Sequence, residues 1–305
     1  MCEIPQAHRL IVAASCPQYA AFAANSPNVK LSVSSHSSKT LQLTLTRGAW
    51  PHRDIMPVVD EIFHKICCES LEKATMSKFA DLDLELLYFD IAGKAEPLRL
   101  AAAYADVALT DTRFGSRDEF EAKKAAGELA FGQVPALRVG SRGNLLLVQS
   151  NAILRYIARL APESGLYPAD DAVLAAQVDA LLDQEADLRQ GLTCSTYQER
   201  FGFGSLGGQG TDATNAVRAA LNGDVLPRHL GNFERIAAAS GTGWLVGTAG
   251  PTIADFVVAL SIEGLASGKI DGISAEILAP YPALLALIAK VKALPSTVAW
   301  YAAKA

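Results

Sequence analysis

A tyrosine closing a strand, a proline opening a strand and a serine opening a helix are the residues here with chemistry to offer. Tyr88 follows Leu82, Leu84 and Leu86, which alternate with Asp81, Asp83 and Glu85. A phenol titrates near pH ~10, so at neutral pH it can donate a hydrogen bond to a developing anion such as a thiolate. Lowering a thiol pKa by about two units takes ~2.7 kcal/mol, within reach of a charge-assisted bond plus nearby dipoles. The parity of Tyr88 with Leu84 and Leu86 fits a core tyrosine equally well. In Phe131-Gly132-Gln133-Val134-Pro135-Ala136, a proline at a strand start gives up a ladder hydrogen bond and can mark a tight turn with a cis bond. Such a turn frees the N–H and C=O of Val134 to pair with an extended peptide. For that segment alone, an edge-strand proline is the simpler reading. In Val148-Gln149-Ser150-Asn151, Ser150 is a natural N-cap. The same helix start, with unpaired N–H groups and a positive dipole end, binds carboxylates. Plain capping is again the simpler reading.

The elements that must position these residues follow from hydrophobic periodicity. The alternation from Leu82 predicts a strand running into Tyr88-Phe89, broken at Gly93. Pro97 sits where the first turn of a helix tolerates proline, and Leu98 to Tyr104 continue that helix. A strand near Leu109 to Phe114, a polar helix from Asp118 to Ala126, and strands Ala136-Val139 and Leu145-Val148 around Gly140-Ser141-Arg142-Gly143 follow. A helix from Ser150 to Leu160 then buries Ile153, Leu154 and Ile157. The order βαβαββα describes a small α/β domain with a mixed sheet. Pro162 to Asp171 reads as a linker. Beyond it helices are expected at Ala172 to Leu188, at about Ala213 to Ala239 (interrupted near Asn222-Gly223 and Pro227), and at Ile253 to Leu265. Two more are expected at Pro282 to Ala293 and Ser296 to Tyr301, and Phe201 to Gly210 is a glycine-rich loop.

Composition excludes several classes. The chain has 305 residues, enough for about two domains. A formal net charge of -5 argues against a nucleic-acid binder. The 5 cysteines include the adjacent pair Cys67-Cys68 and no CxxC, so neither a disulfide framework nor a zinc ribbon is expected. The 5 histidines lack metal-ligand spacing, and no uncharged run is apolar enough to span a bilayer. The first 75 residues differ from the rest. Before Asp54 the only acid is Glu3, and Ser32 to Ser38 is serine-rich. That composition suits a transit peptide, a weakly ordered extension, or upstream sequence ahead of a true start at Met76. Within it, Ile55 to Ile66 has the spacing of a short helix, with Val59, Ile62, Phe63 and Ile66 on one face.

Taken together, Leu87-Tyr88-Phe89, Gly93-Lys94-Ala95-Glu96, Gly132-Gln133-Val134-Pro135 and Gln149-Ser150 resemble the amino-terminal domain of glutathione transferases. The tyrosine-type, sigma-like group is the nearest match. Trp244-Leu245-Val246-Gly247 followed by Thr252-Ile253-Ala254-Asp255 resembles the capping box that starts a buried helix in that family. Tyr281-Pro282 and the ending from Pro295 to Trp300 are similar too. The resemblance covers about Leu84 to Tyr301. It implies a thioredoxin-like α/β domain over 81–161 and an all-α helical domain over 168–305. A weakly ordered or transit-like extension over 1–80 would precede them.

It also implies roles. Tyr88 would hold the sulfur of glutathione, the co-substrate, as thiolate. Val134, before a cis Pro135 and after Gln133, would pair with the cysteinyl backbone. Gln149 and Ser150 would hold the γ-glutamyl carboxylate. Asp187 would reach the γ-glutamyl amine in a partner subunit, which makes a homodimer part of the site; a solvated helix acid is the alternative. Two positions depart from the family pattern. Phe120 and Lys124 keep the i,i+4 spacing of a tryptophan–lysine clamp, but phenylalanine lacks the indole donor. Lys94 replaces an arginine, so a planar fork becomes a point charge. Asp90 to Pro97 holds no serine or cysteine, which leaves Tyr88 as the only candidate in that region. The expected activity is conjugation of glutathione to small apolar electrophiles in the cytoplasm, with no metal and no nucleic-acid or membrane partner; organelle import remains open. Arg189, Cys194, Tyr197 and the stretch Phe201 to Gly210 are candidates for the electrophile pocket. The rivals are a non-catalytic binding or structural module, a glutathione-dependent peroxidase and a prostaglandin isomerase.

Overall fold

The computed structural model describes residues 79–304, together with the backbone of three strands earlier in the chain. Two compact units divide at Thr75 and Met76. In the first, β1 (Arg9–Ala13), β2 (Val29–Val33) and β3 (Thr40–Leu45) form an antiparallel sheet in the order β1-β3-β2. Sequence reading placed no strand there. The helix expected over Ile55 to Ile66 lies outside the described residues, as do Cys67 and Cys68.

The second unit begins its regular structure with β4 (Leu84–Phe89), α1 (Glu96–Tyr104), β5 (Thr110–Phe114) and α2 (Arg117–Ala125). Then come β6 (Ala136–Val139), β7 (Leu145–Val148) and α3 (Ser150–Leu160). The sheet order is β5-β4-β6-β7, with β4 parallel to β5 and the other pairs antiparallel. Leu82 falls in the 3-10 turn Ala80–Leu82 ahead of the strand, so the expected strand starts two residues late. Alternation on β4 sorts its side chains. Leu84, Leu86 and Tyr88 face the large core with Leu98 of α1 and Ile153 of α3. Leu87 faces the opposite side, in a smaller cluster with Phe114, Phe120 of α2, Leu129 and Ala136. The strand is therefore buried on both faces rather than half-buried.

Six helices follow: α4 (Ala172–Thr196), α5 (Asp212–Ala220), α6 (Leu226–Ala239), α7 (Ile253–Leu265), α8 (Pro282–Lys292) and α9 (Pro295–Ala302). A π-helical turn, Leu221–Val225, joins α5 to α6 at the interruption expected around Asn222-Gly223. Helix α4 continues past Leu188 to Thr196. Gly191 lowers helix propensity inside that extension, yet the packing needs it, because a Cβ there would lie 2.5 Å from Leu221 Cδ2. Helix α7 is almost entirely buried, and both α1 and α9 of the two halves meet across the same core. Its start is the capping box read from the sequence. The fully buried Asp255 carboxylate accepts from the N–H of Leu245 at 2.8 Å, the N–H of Thr252 at 2.7 Å and the Thr252 hydroxyl at 2.8 Å. Burial pushes the Asp255 pKa up while these hydrogen bonds pull it down. Among the described residues no single helix is long and apolar enough to cross a membrane.

Candidate functional site

An open cleft of about 1970 Å³ runs from the end of the α/β sheet along the helical half. Its sheet side is built where three connections leave the sheet. The first follows β4. Tyr88 is 8% exposed, its ring packed in the core, and it also lines the cleft. Its phenol oxygen accepts a hydrogen bond from the backbone N–H of Lys94 at 3.1 Å. The lone pair is thus engaged while the phenol proton is left to point elsewhere. Burial raises the Tyr88 pKa, partly offset by the Lys94 bond, so the phenol keeps its proton throughout the neutral range.

The loop that brings Lys94 N–H to this oxygen is pinned from below. Arg99 is fully buried; its guanidinium donates to Ile91 O at 2.8 Å and pairs with Glu96 and Asp111, each at 3.0 Å. Glu96 in turn accepts from Trp300 Nε1 at 3.0 Å, which ties α9 to the start of α1. Gly93 makes the closest approach. Its φ is +43°, and a Cβ there would sit 2.5 Å from the Tyr88 hydroxyl oxygen. Gly93→Ala is expected to displace the phenol, cutting any Tyr88-dependent turnover at least tenfold and costing about 1–3 kcal/mol of stability. Urea unfolding and an aryl-halide assay check this. Full turnover by the variant would show that the approach does not matter.

The second connection enters β6. The Val134–Pro135 peptide is cis. The β4–β6 ladder ends with Leu87 opposite Ala136, so Val134 lies just beyond it, and Gln133, Val134 and Pro135 all line the cleft. The third leads from β7 into α3. Here the structure corrects the simpler reading of Ser150. Gln149, not Ser150, occupies the N-cap position, and no side chain caps the helix. Gln149 has φ 72° and ψ 111°, an uncommon conformation for a residue with a side chain. It turns the chain so that the N–H groups of an 11-residue helix open on the cleft, with Gln149 and Ser150 both in its lining.

The remaining sequence candidates divide. Lys94 lines the cleft with an exposed side chain. Phe120 also reaches the lining, but its ring is buried against Phe89 and Phe114, so it serves the smaller core cluster first. Lys124 lies with its aliphatic stem over Gly132 and its ammonium 3.3 Å from Glu121. Asp187 is exposed on α4 and does not line the cleft of its own chain. Arg189 and Tyr197 line the cleft as expected, whereas Cys194 does not. Of the glycine-rich stretch, Gly208 and Gln209 contribute. Gln198 holds this loop, donating to Ser195 O at 2.9 Å and Thr214 Oγ1 at 2.8 Å. Sequence reasoning missed Arg117, Glu185 and Tyr301, which also line the cleft. Glu185 could have been found from helical spacing, because it precedes Arg189 by four on one helix face. Tyr301 could not, because only tertiary packing brings α9 back to the sheet.

A mixed four-stranded sheet with a cis-proline loop and a helix start at one end, joined to a helical domain, defines a thioredoxin-like domain with an all-helical partner domain. Comparison with known proteins agrees with it. The family model described as "Glutathione S-transferase, N-terminal domain" matches residues 84–159, and "Glutathione S-transferase, C-terminal domain" matches 207–304. Glutathione S-transferase 1 of Ascaris suum is 31% identical over 218 residues, which span 72% of this chain and 95% of that protein. Hematopoietic prostaglandin D synthase of Gallus gallus is 30% identical over 221 residues, spanning 71% of this chain and 94% of that protein. A glutathione S-transferase of Plasmodium falciparum (isolate 3D7) is 42% identical over 81 residues, only 25% of this chain and 37% of that protein. The solved structure of the glutathione S-transferase from Ascaris lumbricoides superposes with a TM-score of 0.56 at 30% identity, covering 73% of this chain and 97% of that one. The chain belongs to the glutathione S-transferase family.

Proposed function

We propose that this chain conjugates glutathione to small electrophiles as a tyrosine-type, sigma-like transferase. The observation that carries the proposal is the Tyr88 hydroxyl. Its oxygen is held by Lys94 N–H at 3.1 Å, and its proton is free to meet a sulfur in the cleft. The phenol donates to the sulfur of bound glutathione and favours the thiolate. The tripeptide's cysteinyl backbone pairs with the main chain of Val134 beside Gln133 and Pro135. Its γ-glutamyl carboxylate lies at the start of α3, on Gln149 and Ser150, where N–H groups and the positive dipole end attract an anion. Lys94, and Lys124 on the wall that includes Phe120, supply positive charge for the glycyl carboxylate. The thiolate then attacks the electrophilic carbon, the new C–S bond forming as the leaving group departs with its electron pair. The protein supplies proximity, orientation and a lowered thiol pKa. The exposure of Asp187 on α4 suits a homodimer in which that carboxylate meets the γ-glutamyl amine bound by the partner.

Retention on a glutathione resin together with turnover of an aryl halide tests the proposal. Retention without turnover of any electrophile would favour a binding module. Turnover confined to an organic hydroperoxide would favour a peroxidase. Similarity to the Gallus gallus prostaglandin D synthase makes prostaglandin isomerisation the second reading, tested by prostaglandin D formation that requires glutathione. Ser150→Ala should weaken retention by about 1–3 kcal/mol, since a charged carboxylate loses a donor. Unchanged retention would remove Ser150 from the site.

A further inference from the structure

Helix α4 presents Glu185, Arg189, Thr193 and Thr196 to the cleft, a stripe with helical spacing that its C-cap residue Tyr197 extends. Of the other buried positions on this helix, Val178, Leu181, Leu182, Leu188 and Leu192 are aliphatic, and Ser195 is a hydroxyl that donates to Leu192 O at 3.0 Å. Glu185 interrupts that pattern with a carboxylate only 6% exposed. Two other buried carboxylates show how this protein treats such groups. Glu96 is answered by Arg99 and the Trp300 indole, and Asp255 by three hydrogen-bond donors. Among the described residues, Glu185 has a single hydrogen-bond partner, the Ser261 hydroxyl, which donates to Oε1 at 2.5 Å. Arg189, one turn along the same face, forms no ion pair with it. A carboxylate at a largely buried position with no cation beside it gains a charge-assisted partner when a ligand supplies the opposite charge. The second oxygen of Glu185 has no protein donor on a wall of the cleft that also holds the apolar side chains of Val257 and Leu260.

We propose that Glu185 is a specificity-determining residue of the electrophile end of the cleft, selecting electrophiles that carry an ammonium group. Ser261 holds one oxygen, and the ammonium takes the other in a charge-assisted hydrogen bond. The apolar wall beside it receives the ring. The expected co-substrate is thus an amphipathic cation rather than a wholly apolar electrophile. This inference rests on the conjugation reading only for its kinetic test; the binding test stands without it.

The kinetic test uses the full chain and a matched pair of aryl halides, 4-chloro-3,5-dinitrotoluene and the same ring bearing aminomethyl in place of methyl. Each rate is normalised to the uncatalysed reaction with glutathione. The ammonium compound should be preferred about tenfold in kcat/KM, and Glu185→Gln should bring that ratio close to one. No preference in the wild type, or a preference that survives Glu185→Gln, overturns the proposal. Calorimetry without glutathione gives an independent reading on the unaltered protein. The 4-methylbenzylammonium ion should bind at least tenfold more tightly than 4-methylbenzyl alcohol, and equal affinities overturn the assignment. If neither aryl halide reacts yet the ammonium ion binds selectively, the conjugation reading fails and the subsite stands.

Discussion

Tyr88→Phe is expected to lower kcat/KM for aryl-halide conjugation by about 10- to 100-fold near neutral pH while leaving glutathione retention nearly unchanged. The phenylalanine ring keeps the packing against Phe89 and the buried surroundings of the tyrosine. What is lost is one hydrogen bond to a charged sulfur, worth about 1.5–3 kcal/mol. The pH dependence separates this from a packing defect. In the wild type the rate should rise with an apparent pKa about two units below the ~8.5 of a free thiol. In the variant that midpoint should move back towards the free-thiol value. The deficit is therefore largest at low pH and narrows as pH rises, because at high pH the thiolate forms without help. Burial raises the pKa of the Tyr88 phenol itself, so the donor does not titrate away inside the window being measured. Identical profiles and turnover within twofold would remove Tyr88 from the chemistry.

The largest stability effect should come from Asp255→Ala. The carboxylate is fully buried and answers three donors, the N–H of Leu245, the N–H of Thr252 and the Thr252 hydroxyl. Truncation leaves those donors without a partner in a dry interior, at about 1–3 kcal/mol for each group that water cannot reach. It also removes the cap of α7, worth ~1 kcal/mol. Some relaxation is expected, so the total should be about 3–5 kcal/mol, or about 10 °C in Tm for a unit of this size. Urea and thermal unfolding measure it, and a loss below about 1 kcal/mol would contradict the buried capping network. The effect should reach the cleft as well, because α7 carries Val257, Leu260 and Ser261 into its lining.

The α/β half was legible almost residue by residue. Ala136–Val139, Leu145–Val148 and Ser150–Leu160 have the bounds that periodicity predicts, because short alternating strands and an amphipathic helix are local patterns. Ile253–Leu265 was legible through its capping box. Less was readable where a residue answers to a distant neighbour. Gly191 lies within a helix because Leu221 packs against it. The strands β1 to β3 were not anticipated, although Leu41, Leu43 and Leu45 of β3 alternate with Thr40, Gln42 and Thr44 at a strand period.

Residue types and spacing alone singled out a phenol, a proline turn and a helix start in the right order, since each is a local device tied to the end of a strand. Tertiary structure alone decided how they are used. It shows that Gln149 rather than Ser150 takes the N-cap position, that Phe120 is buried in a core cluster, and that Asp187 faces outward while Glu185 faces the cleft. The physical reason is that period and propensity specify which face of an element is apolar. Which polar group on that face lacks a partner depends on donors brought in from elsewhere in the chain, as Ser261 is brought to Glu185 and Lys94 N–H to Tyr88.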